Sequence, residues 1–164
     1  MEKLWSPWRS KYIDSFKSEE KKSECIFCEA GGKDVDDLEN LVVRKNKLTF
    51  TLLNLYPYNN GHLMIVPYRH IAELAELSDE EITELMNELK SAQRALGETL
   101  KPQGFNIGAN LGRSSGAGIA DHLHFHIVPR WNGDTNFMPV LGEVKVISQD
   151  LKETKIKLIE AYMN

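Results

Sequence analysis

Cysteine is scarce: the 164-residue chain holds only Cys25 and Cys28, too few for the disulfide framework of a small secreted protein. Long apolar runs are missing too. The longest extend a few residues, which excludes a membrane-spanning helix. The N-terminus lacks the basic-then-apolar layout of a secretory signal, so no membrane partner and a cytoplasmic location are expected. Positive charge is not in excess: twenty Lys and Arg against twenty-four Asp and Glu give a net charge of −4. With a pI near 5.8 there is no broad cationic surface for counterion release, which argues against a nucleic-acid partner. A small phosphate ligand stays compatible, because a few local donors hold it even on an acidic protein. No repeat or low-complexity tract interrupts the chain. What is present, 41% hydrophobic and 27% charged residues, suits one domain over 1–164 with a core of its own.

Residues 1–30 read as an arm laid over that domain. Trp5, Pro7, Trp8, Tyr12 and Phe16 precede a charged stretch from Lys17 to Lys22 and then the Cys25-Ile26-Phe27-Cys28 knuckle; the large aromatics suit packing better than base stacking. Short β-branched or apolar segments at Leu41–Arg44, Leu48–Asn54 and His62–Pro67, separated by turn residues such as Asn59-Asn60-Gly61, predict strands. Ser78 and Glu81 form a capping-box signature, and Ile82, Leu85, Met86 and Leu89 recur at helical spacing, which predicts a helix over 79–100. Phe105, Ile107 and Ala109 alternate with Asn106, Gly108 and Asn110, the period of a half-buried strand. A Gly/Ser loop from Gly112 to Gly118 then leads into a histidine-bearing strand, predicting a hairpin. A further strand is expected over Glu143–Ser148. Leu151, Leu158, Ile159 and Tyr162 suggest a closing helix begun by Asp150. The sum is an α+β domain with a mainly antiparallel sheet.

His122, His124 and His126 alternate with Leu123, Phe125 and Ile127, so three imidazoles share one face of the predicted strand. A strand facing solvent has no structural need of three of the chain's five histidines, and burying them unpaired costs free energy. Two chemistries fit. The histidines could bind a catalytic metal with one open position. Alternatively His124 is a nucleophile that forms a phosphoramidate while its neighbours hold the oxyanions. The loop Gly112-Arg113-Ser114-Ser115-Gly116-Ala117-Gly118 offers N–H and side-chain donors for phosphate oxygens. It opens no helix and lacks the Lys-Ser/Thr ending of a Walker loop. Cys25 and Cys28 have three readings: redox dithiol, half of a zinc site, or small buried thiols. No βαβ pattern supports the first.

The run His122–Val128 resembles the signature of the histidine triad (HIT) family. Leu53-Asn54, Gly61-His62-Leu63, Val66-Pro67 and Pro129-Arg130 extend the likeness over nearly the whole chain. Leu4 to Arg9, Asn54 to Asn59 and Pro129 to Phe137 look most like the family's bacterial diadenosine tetraphosphate phosphorylases. The resemblance implies a HIT-like fold with a five-stranded sheet, one long helix and a C-terminal helix, and a homodimer joined through the helix at 79–100 and the neighbouring strand edge. It makes His124 the nucleophile on the α-phosphorus of an adenine nucleotide or dinucleoside polyphosphate, with no catalytic metal. His126 and Asn110 would lie near phosphate oxygens, Asn54 near the ribose, and His62 would support the triad. Arg113, Ser114, Ser115, Gly116 and Gly118 would complete the substrate-binding set, with inorganic phosphate as acceptor. Family members with an N-terminal Cys-x-x-Cys imply a structural zinc on Cys25, Cys28, His70 and His122. Many relatives carry Gly-Gln-Ser or Gly-Gln-Thr before the triad; this chain has Gly118-Ile119-Ala120, so leaving-group specificity does not transfer from those branches. Alternatives within the same site are hydrolysis or phosphoramidase action releasing AMP, and a nucleotide sensor without turnover.

Overall fold

The computed structural model describes residues 25–135 and 149–163. The aromatic arm around Trp5 and Trp8, the strand expected over 143–148, and Asn136 and Phe137 lie outside them. Five strands form one antiparallel sheet: β1 (Val42–Lys45), β2 (Thr49–Leu53), β3 (Leu63–Pro67), β4 (Gly104–Gly108) and β5 (Phe125–Arg130), in the order β1-β2-β3-β5-β4. Three helices complete the described fold: α1 (Ile26–Gly31), α2 (Asp79–Leu100) and α3 (Leu151–Met163). The α+β architecture with one long helix and a closing helix is the one expected.

Period-two alternation divides the sheet's side chains between two cores. Leu53, Leu63, Ile65 and Ile127 meet Leu85, Leu89, Ala92 and Leu96 of α2 and Leu158 of α3. From the opposite face Phe50, Leu52, Met64 and Val66 pack with Phe27 of α1. Helix α2 starts where its capping box puts it, with Ser78 Oγ accepting from the Glu81 N–H at 3.2 Å and Glu81 Oε2 accepting from the Ser78 N–H at 2.8 Å. Its buried stripe runs through Leu85, Leu89, Ala92 and Leu96. Ile82 and Met86 are exposed, because they lie roughly 60–100° round the helix from Leu85. Two carboxylates, half-buried Glu84 and buried Glu88, stitch α2 to the sheet. Glu84 Oε1 accepts from the N–H groups of Leu48 and Thr49, both at 2.7 Å, and Glu88 Oε1 accepts from Thr51 Oγ1 at 2.8 Å.

The Asn59-Asn60-Gly61 turn requires its glycine. Gly61 has φ +70°, and an added Cβ would strike the side chains of Leu100 and Leu96. Strands β4 and β5 form the expected hairpin, but β5 begins only at Phe125, so His122 and His124 stand in the extended approach to it. Ile107 on β4, an edge strand among the described residues, is exposed. No described helix is long and apolar enough to cross a membrane.

Candidate active site

The face of the sheet beneath α1 encloses a cavity of about 560 Å³, lined by Phe27 of α1, Asn40 to Val42, Leu52 to Tyr56, Asn110, Ile119, His124 and His126. Gly116 and Gly118 line it too. Arg113, Ser114 and Ser115 form a short exposed 3₁₀ turn that does not, with Ser115 Oγ donating to the Gly112 carbonyl at 2.7 Å. Two of the three triad histidines are buried. His122 is 1% and His124 6% exposed, because α1 lays Phe27 over them, its ring centroid 4.8 Å from that of His124 and 5.6 Å from that of His122.

The hydrogen bonds assign the protons. The backbone carbonyl of His122 lies 2.8 Å from His124 Nδ1; a carbonyl only accepts, so Nδ1 carries the hydrogen and Nε2 of the neutral ring carries the lone pair. Burial lowers the pKa of His124, by penalising imidazolium, and this outweighs the opposing bond to the His122 carbonyl. His62, fully buried at the start of β3, is set by the main chain. The Tyr58 N–H donates to its Nδ1 at 3.1 Å, and Asn54 Nδ2 approaches the same nitrogen at 3.3 Å. The proton therefore sits on His62 Nε2, which donates to His126 Nδ1 at 2.9 Å. In the neutral state His126 keeps its own hydrogen on Nε2. Asn54 completes the local loop by accepting from the Tyr56 N–H at 2.9 Å.

His122 has different partners. Its Nε2–H donates to the Pro67 carbonyl at 2.9 Å, which leaves Nδ1 as a bare donor atom directed at sulfur, 3.2 Å from Cys25 Sγ and 3.7 Å from Cys28 Sγ. His70 Nδ1 lies 3.4 Å from Cys28 Sγ. The four ligand atoms fall within 4.8 Å of one another; a tetrahedral zinc with two thiolates and two imidazoles sets them roughly 3.3–3.8 Å apart. Desolvation, then a hydrogen bond and charge repulsion from Cys25, push the Cys28 thiol pKa up. A divalent cation between the sulfurs removes that repulsion, and the donor set fits zinc. Burial likewise lowers the pKa of His122, the form a ligand needs.

Two groups around this site gave no signal in the sequence. Phe27 reads as an ordinary core aromatic in the knuckle, and the Pro67 carbonyl that orients His122 carries no residue-type signature. Ile119 packs against the Phe27 core and lines the cavity.

Residues 36–133 match the family profile described as the HIT domain. Over 160 residues the chain is 43% identical to an AP-4-A phosphorylase of Mycobacterium tuberculosis, covering 94% of this chain and 81% of that one. It is 32% identical to an adenosine 5'-monophosphoramidase of Schizosaccharomyces pombe, over 66% of this chain and 75% of the other. Among solved structures, a zinc-bound histidine triad family protein from Mycobacterium smegmatis superposes with a TM-score of 0.67 at 24% identity, covering 85% of this chain and 94% of that one.

Proposed function

The chain belongs to the HIT domain family, and from that premise we propose that it is a nucleotidyltransferase acting on dinucleoside polyphosphates, a diadenosine tetraphosphate phosphorylase. The observation that carries the reading is the state of His124: buried in the wall of the cavity, with Nδ1–H committed to the His122 carbonyl and Nε2 bare. Nε2 attacks the α-phosphorus of diadenosine tetraphosphate, forming a P–N bond as the P–O bond to the departing ATP breaks. An oxygen of inorganic phosphate then attacks the same phosphorus, the P–N bond breaks, and ADP leaves with His124 restored. His126, whose proton is held on Nε2 by the His62 relay, donates to the phosphoryl or leaving oxygen.

Asn54 and Asn110 contact the nucleotide along the cavity wall, and Gly116 and Gly118 offer loop donors. Arg113, Ser114 and Ser115, exposed on the turn before them, hold the acceptor phosphate. Cys25, Cys28, His70 and His122 bind one structural zinc, which fastens α1 to the end of β3 and to the approach of β5; the chemistry needs no step through it. The working unit is a cytoplasmic homodimer of single-domain chains, and exposed Ile82 and Met86 on α2 and Ile107 on β4 suit the expected interface.

The test is product analysis with diadenosine tetraphosphate. With millimolar phosphate the products are ATP and ADP, and the rate climbs with phosphate concentration. Release of AMP at one rate with or without phosphate would refute the phosphorylase and leave hydrolysis or phosphoramidase action, the latter being the activity the S. pombe relative is named for.

A further inference from the structure

Helix α3 lines no part of the cavity and lies beyond the 36–133 stretch that matches the HIT domain profile. It nevertheless sends one side chain beneath the cavity wall. Lys155 is 0% exposed. Its ammonium donates to the carbonyl oxygens of Asp37 at 2.8 Å and Asn40 at 3.1 Å, and to Asn40 Oδ1 at 3.3 Å, which occupies all three of its N–H donors. Burying an ammonium is costly even when it is matched, and an apolar side chain of similar volume would fill the space more cheaply. What the charge adds is geometry. It draws two main-chain carbonyls and one amide oxygen to a single point.

That point controls the wall. The Asn40 amide is a hub: its Nδ2 donates to the Asp34 carbonyl at 2.7 Å, and its Oδ1 also accepts from the Val42 N–H at 2.8 Å. Asn40, Leu41 and Val42 all line the cavity. The Leu41 carbonyl accepts from the Leu53 N–H at 2.9 Å, so the placement reaches β2 one residue before Asn54.

We propose that Lys155 is a positioning residue for the nucleotide: it holds the Asn40–Val42 wall in the shape that receives the nucleoside, so that a helix outside the family domain sets substrate affinity. The inference rests on the reading of this cavity as the nucleotide site. The test measures AMP binding by calorimetry and steady-state kinetics with diadenosine tetraphosphate for wild type, Lys155→Met and Lys152→Ala. Lys155→Met is expected to raise the Kd for AMP and the KM by about tenfold, the size of one lost hydrogen bond to a charged group, with kcat within about twofold. Lys152→Ala, on the same helix as Lys155, removes only an exposed pair with Glu39 of the segment before β1 and leaves both unchanged.

A role in stability alone would lower the melting temperature and the active fraction, and hence kcat, while KM stayed put; that result overturns the inference. If Lys155→Met does not fold, hydrogen exchange on wild type decides. AMP should slow amide exchange in α3 around Lys155 together with residues 40–42, whereas protection confined to cavity-lining residues overturns the proposal. Wild type that binds no AMP refutes the nucleotide reading and this inference with it. Wild type and Lys155→Met binding equally well refute the inference alone.

Discussion

His124 and His126 stand two residues apart with their protons on opposite nitrogens. The His122 carbonyl takes the hydrogen of His124 Nδ1, whereas His126 Nδ1 receives one from His62. One ring therefore presents a lone pair and the other a donor, the pairing that a two-step displacement at phosphorus needs. Replacing His124 with Asn should lower kcat by about a thousandfold or more while AMP still binds, because an amide cannot form the phosphoramidate. Cys25, Cys28, His70 and His122 are untouched by this change, so metal content should match wild type. Near-wild-type turnover in that variant would remove His124 from the reaction. The triad was legible in the sequence because a period of two and a titratable side chain are local signals. Phe27 and Lys155 were not: each reads as ordinary on its own element, and only the topology brings it to His124 or to Asn40. Arg113 to Ser115 lie on an exposed turn beside Gly116 of the cavity lining, a placement that composition alone does not give.

Helix α2 was the most legible element, since its periodicity and its capping box agree. The cap also does more than end a helix. Glu81 accepts from the Ser78 N–H and takes a bidentate pair from Arg69, with Nε and Nη2 each at 2.7 Å, which ties the end of β3 to the start of α2. The Arg69 hydrogen bonds, helped by Ser78 and opposed by burial, hold the Glu81 carboxyl below its ordinary pKa. The sign follows from linkage. A carboxyl whose folded pKa is depressed adds stability above its unfolded value of about 4.3, and loses it as pH falls through that value toward the folded one. Glu81→Gln should therefore cost about 1–2 kcal/mol at neutral pH, and its stability should fall less steeply than that of wild type on acidification below about pH 5. Urea unfolding at a series of pH values reads this directly, and parallel curves for the two proteins would refute it. The limits of legibility lay at the margins of elements. Ile82 and Met86 fit a helical period yet sit beside the buried stripe, and His122 and His124 fit a strand period yet precede the strand, because period alone does not say where pairing starts.

The whole molecule is closed by the sulfur–imidazole cluster, which links α1, the end of β3 and the approach to β5. Purified protein should carry about one zinc per chain. Stripping it, or changing Cys28 to Ser, should lower the melting temperature by roughly 5–10 °C. Metal analysis and thermal melts test this together, and metal-free protein that melts unchanged would refute it. The cluster also spans the chain lengthwise. Cys25 and its partner His122 are 97 positions apart in sequence, a long loop that must close late and at an entropic cost. On the ribosome, the thiols emerge first and wait for their imidazole partner until residue 122 has been made. Through that interval β3 lacks its β5 neighbour, and the cavity lacks His124 and His126 from its lining. A chain halted before His122 therefore lacks the whole triad and leaves the β3 edge that pairs with β5 unpaired. The set of two sulfurs and two imidazoles is complete only when residue 122 has been made, in the last part of synthesis.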